Sequence, residues 1–131
     1  MKIRKHLSAS GLYRSVSQRF AKIKDHRAEN ALIALKDALM SGFALFSLKD
    51  ASLLAFDKRR QIDSNLGRVY GIDNIPSDTQ MRAILDGVMP DELRPVFKEV
   101  IHQLQRGAEL EKMAYLEGYL VSLDGTTYFI S

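Results

Sequence analysis

The sequence predicts a mainly α-helical fold that ends in a β-hairpin. Apolar residues recur every three or four positions along most of the 131-residue chain, a spacing that places them on one face of successive helices. From residue 119 onward, β-branched and aromatic residues dominate, and these favour strands. The Asp-Gly pair at residues 124–125 separates two such runs and is a typical hairpin turn.

The composition narrows the possible classes of protein. Apolar residues make up 46% and charged residues 27% of the chain, which is typical of globular proteins and argues against disorder. Cysteine is absent, which excludes disulfides, Cys-ligated zinc, iron–sulfur clusters and thiol nucleophiles. The longest uncharged stretch, residues 38–48, is shorter than the roughly 20 residues of a bilayer span. Without a secretory signal either, we expect a cytoplasmic protein with no membrane partner.

Residues 1–30 are predicted to form a basic arm followed by a first helix, with Ser10 as its N-cap. They hold eight Lys and Arg residues against two acidic ones, whereas residues 31–131 hold 11 against 14. Such clustered charge can bind a polyanion such as DNA, although a solvated helix face would carry the same residues. The candidate DNA contacts are Lys2, Arg4, Lys5, Arg14, Arg19, Lys22, Lys24 and Arg27.

Residues 31–112 are predicted to be a helical region. Its most apolar segment, residues 30–47, is the predicted central core helix, because alanines favour helix and large apolar residues share one face. The expected buried stripe consists of Leu32, Leu35, Leu39, Phe43 and Phe46. Within this helix, Gly42 would let another element approach closely.

Four further helical segments are predicted, over residues 49–60, 62–70, 78–88 and 91–106. The basic run that ends the first of them, residues 58–60, suits either the negative end of a helix dipole or phosphate contact. Gly107 is the expected end of the last segment.

The segment 62–86 has the form of a possible helix-turn-helix-like element. Ser77 and Gln80 predict a capping box at the start of its second helix. In a helix-turn-helix, the first residues of that helix contact base edges. The candidate base contacts are therefore Thr79, Gln80 and Arg82, while a plain helical-bundle element remains the alternative.

Residues 113–131 contain the predicted hairpin, with strands over 119–123 and 126–130. A lone two-stranded hairpin is marginally stable in water, so this ending is typical of a fold that continues. Asp124 closes the first strand. Its carboxylate is placed either to bind a divalent cation such as Mg²⁺ or simply to form the turn.

Several segments, in order along residues 38–131, resemble the N-terminal region of bacterial insertion-sequence transposases of the DDE class. The resemblance rests on residues 46–54 (FSLKDASLL), 75–82 (IPSDTQMR), 93–95 (LRP), 104–107 (LQRG) and 123–126 (LDGT) with Tyr128 and Phe129. Their order makes the resemblance more specific than any single motif.

The resemblance implies a helical N-terminal region followed by the start of an RNase H-like α/β domain. Asp124 matches the first catalytic carboxylate of that class, which would bind Mg²⁺ in a full-length enzyme. The second Asp and the Glu of the family have no counterpart in these 131 residues. The resemblance therefore implies a truncated protein that is inactive alone and needs no cofactor.

Together, these observations predict a DNA transposition protein that binds DNA and that cleaves and transfers strands only in a full-length form. The expected partners are DNA, a second copy or a full-length transposase, without a small-molecule substrate. The alternative is a small helical protein-interaction or DNA-binding regulatory module without catalysis, for example a dimeric helix-turn-helix repressor.

Overall fold

The computed structural model describes residues 5–121, which form a helical body followed by a β-hairpin. The predicted fold class is confirmed. In chain order the elements are a 3-10 turn (Lys5–Leu7), α1 (Ala9–Phe20), α2 (Leu35–Ser47), α3 (Leu53–Arg60), α4 (Asn65–Arg68), α5 (Asp78–Leu85), α6 (Pro90–Arg106), a second 3-10 turn (Leu110–Met113), β1 (Ala114–Tyr115) and β2 (Gly118–Tyr119).

Helix α1 begins two residues earlier than predicted. Ser8, not Ser10, is its N-cap, and the Ser8 hydroxyl accepts a hydrogen bond from the Gly11 amide. The reason is the 3-10 turn Lys5–Leu7, which ends immediately before Ser8 and fixes where the helix can start. Val16 and Phe20 are buried as α1 packs against α2 and α6.

Helix α2 is central, as predicted, because eight of its 13 residues are buried between α1 and α5. The predicted stripe is wrong at both ends, since Leu32 is 94% exposed and Phe46 is 81% exposed. The helix begins only at Leu35, after the extended residue Ala34, so Leu32 lies outside it. Phe46 lies at the edge of the buried face, which continues through Ala44 and Leu45.

Gly42 fulfils its predicted role. A Cβ atom on this glycine would lie 3.3 Å from a methyl carbon of Leu85, so the missing side chain lets α5 approach α2 closely.

Helix α3 ends at Arg60 as predicted but begins at Leu53 rather than near residue 49. Lys49 adopts a left-handed conformation with φ of 55°, which interrupts the helical backbone between α2 and α3. Ser52 then caps the new helix by accepting a hydrogen bond from the Ala55 amide. Phe56 is the fully buried anchor of α3.

The segment 62–86 lacks the expected short turn between two helices. Helix α4 is a single turn, and residues 69–77 connect it to α5, whereas a helix-turn-helix uses about three or four residues. The connection is long because it packs into the core, where Ile72 and Pro76 are buried. The predicted capping box of Ser77 and Gln80 is confirmed at the start of α5.

The carboxylate of Asp37 fixes this connection to α2. It is 2% exposed and accepts hydrogen bonds from the backbone amides of Asp73 (3.3 Å) and Asn74 (3.0 Å). A buried carboxylate needs such partners, so Asp37 is a structural residue.

Helix α6 begins with Pro90 at its first position and ends before Gly107. Its apolar face is only partly covered: Val96 is buried, but Phe97 and Ile101 are 41% and 49% exposed. The amphipathic spacing therefore predicted the helix correctly. The helical body, however, covers less of the apolar face than this spacing indicated.

The observed hairpin comes earlier in the chain than the predicted one. Strands β1 and β2 pair Ala114 with Tyr119, and Leu116 and Glu117 form the turn with positive φ angles of 47° and 65°. Positive φ at both central residues is what a type I′ turn requires. The predicted turn at residues 124–125 lies outside the described residues, as do the later part of the first predicted strand and all of the second.

Candidate nucleic-acid interface

The basic residues predicted to contact DNA fall into two groups in the structure. Lys5, Arg14, Lys22 and Lys24 are exposed and form no salt bridge within residues 5–121. Lys2 and Arg4 lie outside the described residues. The four exposed cations therefore provide charge that a polyanion can reach.

Arg19 and Arg27 instead contact carboxylates of the protein itself. Arg19 Nη2 lies 3.4 Å from Glu99 Oε1 on α6. Arg27 donates two hydrogen bonds to Asp25, of 3.0 and 2.9 Å, and a third of 2.7 Å to the Ile33 carbonyl. The Arg27 hydrogen bond holds the pKa of Asp25 below its ordinary value. These two arginines connect parts of the fold, and their charge is largely neutralised.

Arg14 lies between two open hollows on the outer side of α1. The first hollow, of about 320 Å³, is lined by Lys5, His6, Gly11, Arg14, Ser15, Gln18 and Gln103. The second, of about 390 Å³, is lined by Ser10, Arg14, Ser17, Arg68, Val69, Tyr70 and Gly71. We call these two hollows, with Lys5, Arg14 and Arg68 as their cations, the α1 strip.

Arg68 is the residue of the α1 strip that the sequence did not reveal. It lies on the short helix α4, far along the chain from α1, and belongs to no charge cluster or motif. Only the packing of the segment after α4 against α1 brings it beside Arg14. No pattern in the sequence signals this placement.

Aromatic packing fixes this arrangement. Tyr70 stacks on Tyr13 of α1, with ring centroids 5.0 Å apart, and its hydroxyl is 2.9 Å from the hydroxyl of Ser47 at the end of α2. Burial raises the pKa of Tyr70. Because Tyr70 is tied to both α1 and α2, the neighbouring Arg68 is positioned by a rigid part of the fold.

The other wall of the strip is also held in place. Gln103 of α6 donates a hydrogen bond of 3.0 Å to the Ser15 hydroxyl of α1, at the lining of the first hollow. The strip therefore rests on well-packed helices.

The candidate base contacts lie apart from the α1 strip. Thr79 and Gln80 are exposed in the first turn of α5, whereas Arg82 is exposed in its last turn. None of the three lines either hollow. The Gln80 side-chain oxygen accepts a hydrogen bond from the Ser77 amide. The Thr79 hydroxyl lies 3.3 Å from the Asp78 carboxylate. The Gln80 side chain thus already serves the helix cap, and the Thr79 hydroxyl already has a partner in Asp78.

The basic run 58–60 is mostly paired. Arg59 donates hydrogen bonds to Asp50 and Asp63, and Arg60 donates one of 2.6 Å to Asp57. The pKa of Arg59 is raised, chiefly by its hydrogen bonds to Asp50. Of the two interpretations of this run, phosphate contact is disfavoured for Arg59 and Arg60.

Asp124, the candidate catalytic and metal-binding residue, lies outside the described residues. In the part of the chain that the structure describes, no three His, Asp or Glu side chains converge as metal ligands would. The Mg²⁺ site therefore stays a prediction.

An apolar groove of about 690 Å³ forms a second open surface. It runs between α2, α5 and α6 and is lined by Phe20, Leu39, Gly42, Phe43, Phe46, Ser47, Leu85, Val88, Pro90, Leu93 and Phe97. Phe46 and Phe97 are exposed in this groove, which makes it a candidate surface for contact with a partner.

Comparisons with known proteins find no matching family model, no matching curated protein and no matching solved structure. The resemblance to DDE transposases therefore stays a prediction. Among the described helices, none is both long and apolar enough to cross a membrane.

Proposed function

We propose that this chain is the DNA-binding N-terminal part of a DNA transposition protein. The observation that carries the proposal is the α1 strip, where three cations, Lys5, Arg14 and Arg68, line adjoining hollows that no Asp or Glu of residues 5–121 lines. Most protein contacts to nucleic acid go to backbone phosphates, through Arg, Lys and hydroxyl groups.

The transposition part of this proposal rests on the ordered sequence segments that resemble DDE transposases. In this view Asp124 is a Mg²⁺ ligand in a full-length form, and the hairpin region leads into an RNase H-like core. Exposed residues of α5, Arg82 foremost, supply the candidate base contacts. DNA is the main partner, and a second copy or a full-length transposase is the protein partner.

Binding of duplex DNA across a series of salt concentrations tests the proposal. Each neutralised phosphate contributes a slope of about −0.9 to the plot of log affinity against log salt. With the three strip cations and Lys22 and Lys24 accessible, we expect a slope of about −3 or steeper. Absence of binding at low salt, or an affinity that does not change with salt, would contradict the proposal.

A helical protein-interaction module is the second candidate, and the apolar groove favours it because Phe46 and Phe97 are exposed there. Sedimentation analysis over a range of concentrations distinguishes the two. Self-association without DNA affinity, weakened by Phe46→Ser, favours the interaction module. Salt-dependent DNA binding, whether by a monomer or a dimer, favours the first proposal.

A further inference from the structure

We propose that Arg14 and Arg68 together bind a single backbone phosphate of DNA in the second hollow of the α1 strip. Lys5 and His6 then contact the backbone further along, in the first hollow. This inference rests on the proposed DNA-binding function and adds to it the residues that hold the backbone. It assigns Arg68, which no sequence pattern connects with the basic N-terminal region, to the interface.

The lining of the second hollow carries the groups that phosphates prefer. Arg14 and Arg68 provide two guanidinium groups, and Ser10 and Ser17 provide hydroxyls on the same side of α1. Residues 10, 14 and 17 share one helix face because they are spaced by four and three positions. Guanidinium groups match phosphate oxygens as paired hydrogen-bond donors.

The charge balance of the strip favours an anion. Within residues 5–121, neither hollow is lined by an Asp or Glu, and neither Arg14 nor Arg68 forms a salt bridge. The contrast is Arg59, which makes hydrogen bonds to Asp50 and Asp63. Two arginines that line one hollow without an Asp or Glu among its described lining residues give it a positive potential, which favours a bound phosphate.

The arrangement also favours a chain of phosphates over an isolated anion. Arg14 belongs to both hollows, so an extended backbone can pass over it from the side of Arg68 to the side of Lys5 and His6. Both hollows are open to solvent, as contact with a large polymer requires.

The test compares Arg14→Gln, Arg68→Gln and the double variant with the wild-type chain for binding to a fluorescent DNA duplex. The double variant should lose roughly ten- to hundredfold in affinity, the range for hydrogen bonds to a charged group. Its salt slope should become shallower by about 0.9, the value for one phosphate. The two single losses should combine less than additively, because both side chains bind the same phosphate.

The matched control is the double variant Arg94→Gln/Lys98→Gln, which removes the same charge from exposed positions of α6 that line neither hollow. We expect this control variant to lose at most twofold in DNA affinity, because salt screens charges that lie far from the bound DNA. Circular dichroism melting curves of every variant should overlay that of the wild type, which keeps an effect on folding separate from one on binding.

The outcomes separate the inference from the function on which it rests. If the wild type binds no DNA, the proposed function fails. If the wild type binds DNA but the strip variant loses no more affinity than the control, only the inference fails. If the affinity losses of the two single variants add strictly, and the salt slope of the double variant changes by the value for two phosphates, the two arginines do not share one phosphate. Saturable binding of inorganic phosphate alone, lost in Arg68→Gln, together with unchanged DNA affinity, would assign the hollow to a small anion instead.

Discussion

The α1 strip and the apolar groove are two open surfaces of one small helical body, and they differ in nearly every physical property. The strip is lined by cations, hydroxyls and amides, while the groove is lined almost wholly by aliphatic and aromatic side chains. Helix α2 serves both, because Phe43 and Phe46 line the groove while Ser47 contacts the Tyr70 hydroxyl beside the strip. Aromatic and basic residues of the same types also occur in the core and in ion pairs, so residue type alone does not determine which side chains hold the fold and which remain available to a partner.

The largest expected effect separates a core aromatic from a groove aromatic. Phe56 is fully buried and Phe46 is 81% exposed. Phe56→Ala should therefore reduce the free energy of unfolding by about 3–5 kcal/mol, whereas Phe46→Ala should change it by no more than about 0.5 kcal/mol. Urea denaturation followed by circular dichroism measures both values. Equal losses would mean that the groove is part of the closed core.

The second effect concerns Asp37, which connects α2 to the segment that follows Arg68 and the strip. Asp37→Ala should reduce the free energy of unfolding by about 2–4 kcal/mol, because two part-buried backbone amides lose the buried carboxylate that accepts from them. Thermal or urea unfolding measures the loss. DNA affinity should also fall, since Tyr70 and Arg68 lie just before the released segment.

Asp73→Asn is the control for this experiment. The Asp73 side chain is 80% exposed and lies 3.7 Å from Lys36 Nζ. Loss of the Asp73 charge should therefore lower the free energy of unfolding by at most about 0.5 kcal/mol. A loss from Asp73→Asn as large as that from Asp37→Ala would show that charge near Lys36, and not the buried hydrogen bonds, fixes the connection.

The smallest effect is a pH dependence at the contact between α1 and α6. The pKa of Glu99 is held below its ordinary value of 4.5, first by a hydrogen bond from Arg106 and also by the charge of Arg19. The folded protein therefore binds this proton less readily than the unfolded chain, so acid favours unfolding. The contribution is complete above pH 4.5 and is lost as the pH falls through the lowered pKa.

Unfolding midpoints measured from pH 7 to pH 3 check this prediction. In Glu99→Gln the fall in stability below pH 4.5 should be shallower than in the wild type. A remaining acid-dependent loss is expected from Asp25, whose pKa is also lowered. Identical curves for the two proteins would show that the Glu99 contacts contribute nothing in solution.

Positive charge illustrates how far the sequence could predict the candidate site. The basic N-terminal segment pointed to the right helix, and Arg14 is accessible there. Yet Arg19 and Arg27 face Glu99 and Asp25, and Arg68 joins the strip from elsewhere in the chain. The Arg19–Glu99 pair and the position of Arg68 depend on how helices pack, which charge counting does not contain. The Arg27–Asp25 pair is a local contact between residues two positions apart.

Helix ends show the same division. The capping box at Ser77 and Gln80 was predicted because a cap is a local interaction of a few neighbouring residues. The start of α1 was misplaced by two residues, since Ser8 and Ser10 are equally suitable N-caps by residue type. The preceding 3-10 turn decides between them, and that turn has its own contact, because the buried side chain of Leu7 lies against Gly107.

By itself, the sequence determined the helical class, the central position of α2, the cap of α5 and the charge of the N-terminal segment. These properties follow from local spacing and residue type. The tertiary structure alone decided that Phe46 and Phe97 remain open, that Arg19 pairs with Glu99 and that Arg14 and Arg68 line the same hollow. The physical reason is that burial and ion pairing arise from contacts between residues distant in the chain, and packing fixes those contacts only once the helices come together.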